Sequence, residues 1–240
     1  MVNYKKYLDI EIFEGEISKH EYPWHFHNCY TIIMVSTGSI FYEFQDKSII
    51  LDETEILILA PFQVHRNIIS QHTIYKAIFV PTEYFECQGQ FTMMTQIVNQ
   101  PNVVDRIVNI FHNIDLNPGK EEIKAVIWGL CEMLIPLQIE NDNHSISQSR
   151  ILPKIEHDLN INELAAEAHL SKFHFQRKFK KKHGLTVGQL KQQEKTIKAK
   201  TLLEDGKLST DVAYELGFFD QSHFIKYFKK MWAITPKDLK

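Results

Sequence analysis

Short hydrophobic runs fill the part of the chain between residues 30 and 80. They are rich in Ile, Val, Phe and Tyr, and the pairs Thr37-Gly38 and Gln45-Asp46 separate the first three runs. Runs of this length between turn residues predict a small antiparallel β-barrel or sandwich. Pro61 fits a loop, because proline cannot donate within a central ladder. The runs are Tyr30–Val35, Ser39–Phe44, Lys47–Asp52, Glu55–Ala60, Val64–Ile69 and Thr73–Val80.

Beyond Pro81 the apolar positions recur at spacings of three and four, which predicts helices over residues 103–114 and 121–139. Pro136 is expected to end or kink the second helix. Apolar residues surround that helix almost completely. We therefore expect it to be buried, either against the barrel or in a dimer interface. Its main stripe comprises Ile123, Val126, Ile127, Leu130, Leu134 and Leu137.

The last 80 residues contain an internal repeat. Residues 163–170 (ELAAEAHL) correspond to residues 211–218 (DVAYELGF) at an offset of 48. Residues 174–181 (HFQRKFKK) correspond to residues 223–230 (HFIKYFKK) at an offset of 49, so the second copy has one extra residue at or near Phe219. A fixed period of this kind predicts two copies of one structural unit.

Each copy has the pattern of a helix-turn-helix motif, over about residues 162–182 and 209–230. The small residues Ala165 and Ala213 permit close packing inside each motif. Gly217 lies at the second turn, where a positive φ suits glycine. His169 occupies that position in the first copy. Asn162 and Ser209 are candidate N-caps.

The second helix of each motif has one apolar face. Phe175 and Phe179, like Phe224 and Phe228, are i, i+4 pairs that should point inward. The opposite face carries basic and amide side chains, which read guanine and adenine in the major groove. A solvated basic face is the alternative. A helix over residues 187–203 would hold the two motifs about one DNA turn (~34 Å) apart. The outward residues are Phe173, Gln176, Arg177, Lys180, Gln221, Ser222, Ile225, Lys226 and Lys229.

A polar stretch, residues 140–149, separates the barrel and its helices from the repeat. Its composition is that of a linker. We expect an α+β protein of two domains. Residues 1–140 form a β-barrel with flanking helices, residues 141–150 form a linker, and residues 151–240 form an all-α double helix-turn-helix domain.

Charge divides at the same place. Residues 1–149 carry 9 basic and 19 acidic residues, a net charge of −10, whereas residues 150–240 carry 18 and 11, a net charge of +7. A basic domain gains affinity for a polyanion by releasing counterions, and an acidic one is repelled. The split favours nucleic acid as the partner of the C-terminal half, although uneven charge on solvated faces would look the same.

Composition excludes several classes of protein. The chain has 240 residues, of which 44% are hydrophobic and 24% charged, so a packed core is expected rather than disorder. No apolar run is long enough for a membrane helix, and no secretory signal is visible. Three well-separated cysteines suit a reduced, cytoplasmic protein.

Histidines mark a candidate pocket in the barrel. His25 and His27 form an H-x-H pair whose side chains would share one face of a strand, and His65 follows later. Three imidazoles can bind zinc or iron, but a non-haem iron site usually includes a carboxylate, and none follows His27 closely. We expect a ligand pocket without metal, formed by Trp24, His25, His27, Tyr30 and His65. A metal site and structural histidines are the alternatives.

Residues 155–240 closely resemble the paired helix-turn-helix domain of AraC/XylS-type bacterial transcription regulators. The resemblance implies promoter DNA as the partner. Lys226, where an arginine is common, lacks bidentate geometry, and Ala233 replaces a usual glycine. By this resemblance the base readers are Phe173, Gln176, Arg177, Gln221, Ser222 and Lys226, with Lys180 and Lys229 nearer phosphates. It rests on Leu170, Ser171, Phe175, Arg177, Phe179, Lys180, Lys181, Gly184, Ala199, Leu202, Leu203, Gly217, Phe218, Asp220, Gln221, Ser222, Phe224, Phe228, Lys229, Lys230, Thr235 and Pro236.

Residues 20–80 resemble the cupin-like sensing domain of the same family through Trp24–Gly38 and Glu55–His65. The resemblance implies a transcription factor, more often an activator, whose N-terminal domain binds a small effector or forms a homodimer. DNA, RNA polymerase and an effector are then the expected partners, and no cofactor or membrane is expected. The alternatives are a metal-dependent cupin enzyme fused to a DNA-binding domain, and a dimeric regulator without effector.

Overall fold

The structure, a computed structural model, describes residues 2–86, 95–116, 119–134 and 161–239. The predicted linker at residues 141–150 lies outside these residues, as do Pro136 and Leu137 of the second predicted helix.

Two antiparallel sheets form the N-terminal part and face one another; we call the pair the barrel. One sheet has the strand order β1-β2-β9-β4-β7-β10, and the other has the order β3-β8-β5-β6. The strands are β1 (Val2–Tyr7), β2 (Ile10–Ile17), β3 (His20–Glu21), β4 (Tyr30–Thr37), β5 (Ile40–Phe44), β6 (Ser48–Leu51), β7 (Ile56–Leu59), β8 (His65–Ile69), β9 (Thr73–Val80) and β10 (Gln96–Val98).

All six predicted runs are strands, β4 to β9, so the strand pattern is confirmed. The strands β1, β2, β3 and β10 were not predicted. In β2 the charged Glu11 lies between the buried Ile10 and Ile12 and interrupts the hydrophobic run, so the sequence pattern did not indicate a strand. The strand nevertheless pairs with β1 on one side and β9 on the other.

The six-stranded sheet separates two hydrophobic cores. Along β4, Tyr30 and Ile32 pack against the helices, whereas Ile33 and Val35 pack inside the barrel. Both faces of this strand are covered, which explains why residues 32–35 are apolar without interruption. Alternation along the strand decides which side chains can reach the barrel interior.

Three helices cover the outer face of this sheet: α1 (Glu83–Glu86), α2 (Pro101–Asp115) and α3 (Lys120–Leu134). One face of α3 is buried against the barrel, which is the first of the two alternatives that the sequence left open. Ile123, Ile127 and Leu130 are fully buried against the barrel, but Trp128 on the opposite face is 39% exposed. One face of the helix is therefore open to solvent.

The C-terminal part is helical. Helices α4 (Ile161–Glu167) and α5 (Lys172–His183) form unit one, α6 (Val187–Glu204) is the joining helix, and α7 (Ser209–Glu215) and α8 (Gln221–Trp232) form unit two. A 3₁₀ turn follows at Pro236–Leu239. The two units repeat in detail, because His169 (φ 52°) has the left-handed conformation of its counterpart Gly217 (φ 64°).

Helix caps repeat as well. The side chains of Ser171 and Asp220 accept hydrogen bonds from the backbone N–H of His174 and His223, and so begin α5 and α8. The N-cap prediction for Ser209 was wrong: it lies inside α7, and the cap position is Leu208. Asn162 likewise lies inside α4.

Within the described residues, no helix has both the length and the apolar character needed to cross a bilayer.

Candidate functional site

The first recognition face lies on α5. Phe173 is 74% exposed, and Arg177 and Lys180 also face solvent, while Gln176 is half-buried. On the opposite side Phe179 is buried and Phe175 half-buried, as the i, i+4 spacing predicts. The helix therefore presents the predicted set outward, with Gln176 the least accessible.

The second recognition face lies on α8, where Phe224 and Phe228 are fully buried. The side chains of Ser222, Lys226 and Lys229 are exposed. Gln221 is exposed too, but its Nε2 donates to Ser209 Oγ at 2.7 Å. This bond holds the Gln221 amide against α7, so DNA readout by Gln221 would require the bond to be exchanged.

A large cavity opens between the barrel and the joining helix. Its volume is about 1440 Å³. Strands and loops of the barrel form one wall with side chains that include Tyr22, Tyr42 and Tyr75, and α6 forms the opposite wall. The joining helix that sets the spacing of the two recognition helices is therefore in direct contact with this space.

Three histidines line the barrel wall; we call His25, His27 and His65 the histidine cluster. The ring centroids of His25 and His65 lie 4.3 Å apart, and His27 lies 5.0 Å from the first and 5.4 Å from the second. Burial lowers the pKa of His25 to about 4. Burial also holds the pKa of His27 and His65 well below the usual value, so all three rings are neutral near pH 7.

The structure brings together three of the five predicted pocket residues and places the other two elsewhere. Tyr30 is 3% exposed and packs on Phe85 in the core beneath the helices, because it has the opposite parity along β4 from the inward-facing Thr31 and Ile33. Trp24 packs with the cluster around Val64 and Phe179 and carries the Arg66 guanidinium over its ring.

An ion-pair network joins the barrel to the joining helix. Lys200 is 5% exposed, and its Nζ lies 2.6 Å from Glu11 Oε2. The same ammonium lies over the rings of Tyr4 and Trp232, at 4.1 Å and 4.7 Å from their centroids. Sequence analysis missed these residues, because a lysine in a polar helix gives no sign of burial before its packing surface is known.

A second contact joins the joining helix to the backbone between His25 and His27. The side-chain amide of Gln193 accepts from Phe26 N–H at 3.2 Å and donates to Phe26 C=O at 2.7 Å. Phe26 is the residue between His25 and His27. Gln193 is 2% exposed, and it too was missed, since glutamine in a helix is usually solvated.

Two family descriptions match most of the chain. Residues 7–142 match the AraC-like ligand binding domain, and residues 164–240 match a helix-turn-helix domain.

Similar proteins are regulators. The uncharacterized HTH-type transcriptional regulator YbfI of Bacillus subtilis is 25% identical over 238 residues, covering 90% of this chain and 86% of YbfI. The transcriptional activator RhaS of Escherichia coli is 32% identical over 84 residues, which cover 35% of this chain and 30% of RhaS. The crystal structure of ToxT from Vibrio cholerae covers 98% of this chain and 97% of its own, with a TM-score of 0.58 and 13% identity, and so shares the fold.

Proposed function

Because the chain belongs to the AraC family of transcriptional regulators, with an N-terminal ligand-binding domain and a C-terminal helix-turn-helix DNA-binding domain, we propose that occupancy of its cavity controls how the two recognition helices are placed on DNA. The observation that carries this proposal is the position of α6, which is both a wall of the cavity and the connection between the two units.

The physical route runs from the barrel to unit one. His65 faces the cavity, and its neighbour Val64 packs on Phe179 and Leu185 of the helical part. An effector that binds one arrangement of these contacts better than another shifts the population toward it. The division of the chain into residues 1–140, 141–150 and 151–240 is part of the proposal.

In this proposal Phe173, Gln176 and Arg177 of unit one read bases, as do Gln221, Ser222 and Lys226 of unit two. Lys180 and Lys229 contact phosphates. The exposed positions of these side chains support the assignment for all but Gln176 and Gln221, which would have to adjust.

The regulator acts as a homodimeric activator on promoter DNA in the bacterial cytoplasm. It contacts RNA polymerase, and the proposal assigns it no enzymatic activity. The similarity to the transcriptional activator RhaS supports activation. Exposed apolar side chains on the outer helices, Val108, Leu116 and Trp128, support a dimer surface there.

Selection of DNA from a random pool by the full-length protein at ~150 mM salt tests this function, because that salt suppresses bare phosphate attraction. The proposal predicts a site with two short boxes about one helical turn apart. Recovery of no preferred sequence would contradict it. The Arg177→Ala and Lys226→Ala proteins should each lose preference in a different box.

A further inference from the structure

The chemistry of the histidine cluster is fixed by two backbone carbonyls. His25 Nδ1 lies 2.7 Å from Pro23 O, and His65 Nδ1 lies 2.8 Å from Gln63 O. A carbonyl oxygen only accepts, so in both rings Nδ1 carries the proton. Each Nε2 then bears a lone pair and has no hydrogen-bond partner among the described residues.

The backbone holds two of these rings in register. His25 and His65 form an isolated antiparallel bridge, with hydrogen bonds of 2.8 and 2.9 Å between their N–H and C=O groups. Ligand atoms of His25, His27 and His65, one from each ring, all lie within 4.8 Å of one another. Tetrahedral zinc with Zn–N bonds of about 2.05 Å needs N···N separations of roughly 3.3 Å. Side-chain rotations that move each ring nitrogen by about an ångström would therefore bring the three nitrogens to the distances that zinc requires.

We propose that His25, His27 and His65 form a binding site for a first-row divalent transition metal ion such as Zn²⁺. Imidazole nitrogens suit zinc, nickel, copper and iron, whereas magnesium and calcium require oxygen ligands. Metal-binding histidines usually donate their second ring N–H to an outer partner such as a backbone carbonyl, as His25 and His65 do here. The three rings line the cavity, so the remaining coordination positions are open to water or to an anionic or neutral donor molecule.

The site is also mechanically connected to the DNA-binding part. A bound ion draws His25 and His27 together, and the peptide groups of Phe26 between them are held on both sides by Gln193 of the joining helix. The ion is thus placed to act as the signal, or as an anchor for the signal molecule. This second step rests on the proposed function; the metal site itself does not.

Titration of the chelator-treated, full-length protein with Zn²⁺ alone, followed by calorimetry near pH 7.5, tests the site without DNA. We expect one ion per chain with a dissociation constant of micromolar or lower. His27→Gln is the informative variant, since the described residues form no backbone hydrogen bond to the His27 ring, and it should weaken binding at least tenfold. His72→Gln, at an exposed histidine outside the cluster, should leave it unchanged.

Absorption of the Co²⁺-loaded wild-type protein is a second measurement that needs no variant. Visible d–d bands of a low-coordinate nitrogen site support the proposal. Absence of stoichiometric binding, or equal binding by wild type and a folded His27→Gln protein, overturns it.

The coupling is tested separately on the selected DNA site. Zn²⁺ should change DNA affinity at least threefold in wild type and less in Gln193→Leu. Metal binding with no change in DNA affinity would overturn the coupling alone, and failure to select any DNA would contradict the proposed function alone.

Discussion

Units one and two share their backbone conformation but complete their hydrophobic cores differently. In unit two, Phe224, Phe228 and Val212 are fully buried, mainly among residues of the helical part itself. In unit one, Phe179 is 7% exposed and its cluster includes Val64, Trp24 and Phe26 of the barrel.

This difference indicates where a signal can enter. A unit whose core consists mainly of its own residues changes its conformation little when the barrel changes. A unit whose core includes barrel residues depends on its packing against the barrel. We infer that unit one depends on the barrel for its placement more than unit two does, although Trp232 of unit two also lines the cavity.

Removing a core aromatic from unit two should have the largest effect. Phe224→Ala should cost about 3–5 kcal/mol, because it leaves a cavity at a fully buried position. Hydrogen exchange should show protection lost in α8 while the barrel strands keep theirs. Phe173→Ala, at an exposed phenylalanine of unit one, is the matched control and should change stability by less than about 0.5 kcal/mol. Loss of hydrogen-exchange protection in the barrel strands of Phe224→Ala would contradict the claim that the two cores are separate.

Substitutions on the recognition faces should separate base reading from phosphate contact. Arg177→Ala should cost about 1–3 kcal/mol at one base position of the box read by unit one. Lys229→Ala should weaken binding to all sequences and reduce the salt slope by about one unit. Binding assays on single-base variants of the selected site at several salt concentrations measure both. Identical behaviour of the two variants would contradict the assignment.

Unit one should be more sensitive to acid than unit two. Burial against Phe179, helped by Lys182, lowers the pKa of His183 to about 4, and its counterpart in unit two is Trp232. Since the unfolded chain binds this proton below about pH 6.5 and the folded chain does not, stability falls as pH decreases from 6.5 to 4. The loss approaches about 1.4 kcal/mol per pH unit.

Urea unfolding of wild type and His183→Leu between pH 7 and pH 5 measures this contribution, since the difference between the two proteins removes the effect of other histidines. A pH-independent difference would show that His183 titrates normally in the folded protein.

The C-terminal caps of α5 and α8 should respond in opposite directions. Gly184 (φ 76°) and Ala233 (φ 56°) both have left-handed backbones. Gly184→Ala should destabilise by roughly 1–2 kcal/mol, because the new Cβ is also 3.0 Å from Val64 Cγ1 of the barrel. Ala233→Gly should stabilise by about 0.5–1 kcal/mol. Melting curves of the two proteins provide the test, and a shift in the same direction would contradict the account.

Sequence patterns predicted the elements well and the cavity only in part. Apolar runs identified six strands, and the offsets of 48 and 49 identified both units, because these signals come from residues that must be buried within one element. Tyr30 was misplaced, since the segment before β4 is irregular and strand parity could not be extended across it.

The contacts between the two parts were beyond sequence reasoning. Glu11, Gln193 and Lys200 have the character of solvated residues in their own elements, and only the packing of α6 on the barrel buries them. The tautomers of His25 and His65 likewise depend on carbonyls that only the folded loop positions.

Hydrogen exchange of Val64→Ala in the full-length protein tests most directly whether unit one depends on the barrel. Val64 is 4% exposed in the cluster it shares with unit one, so its truncation should remove roughly 2 kcal/mol of packing. We predict faster exchange in Lys172–His183 and unchanged exchange in Gln221–Trp232. Equal acceleration of both helices, or of neither, would contradict the claim that unit one depends on the barrel more than unit two does.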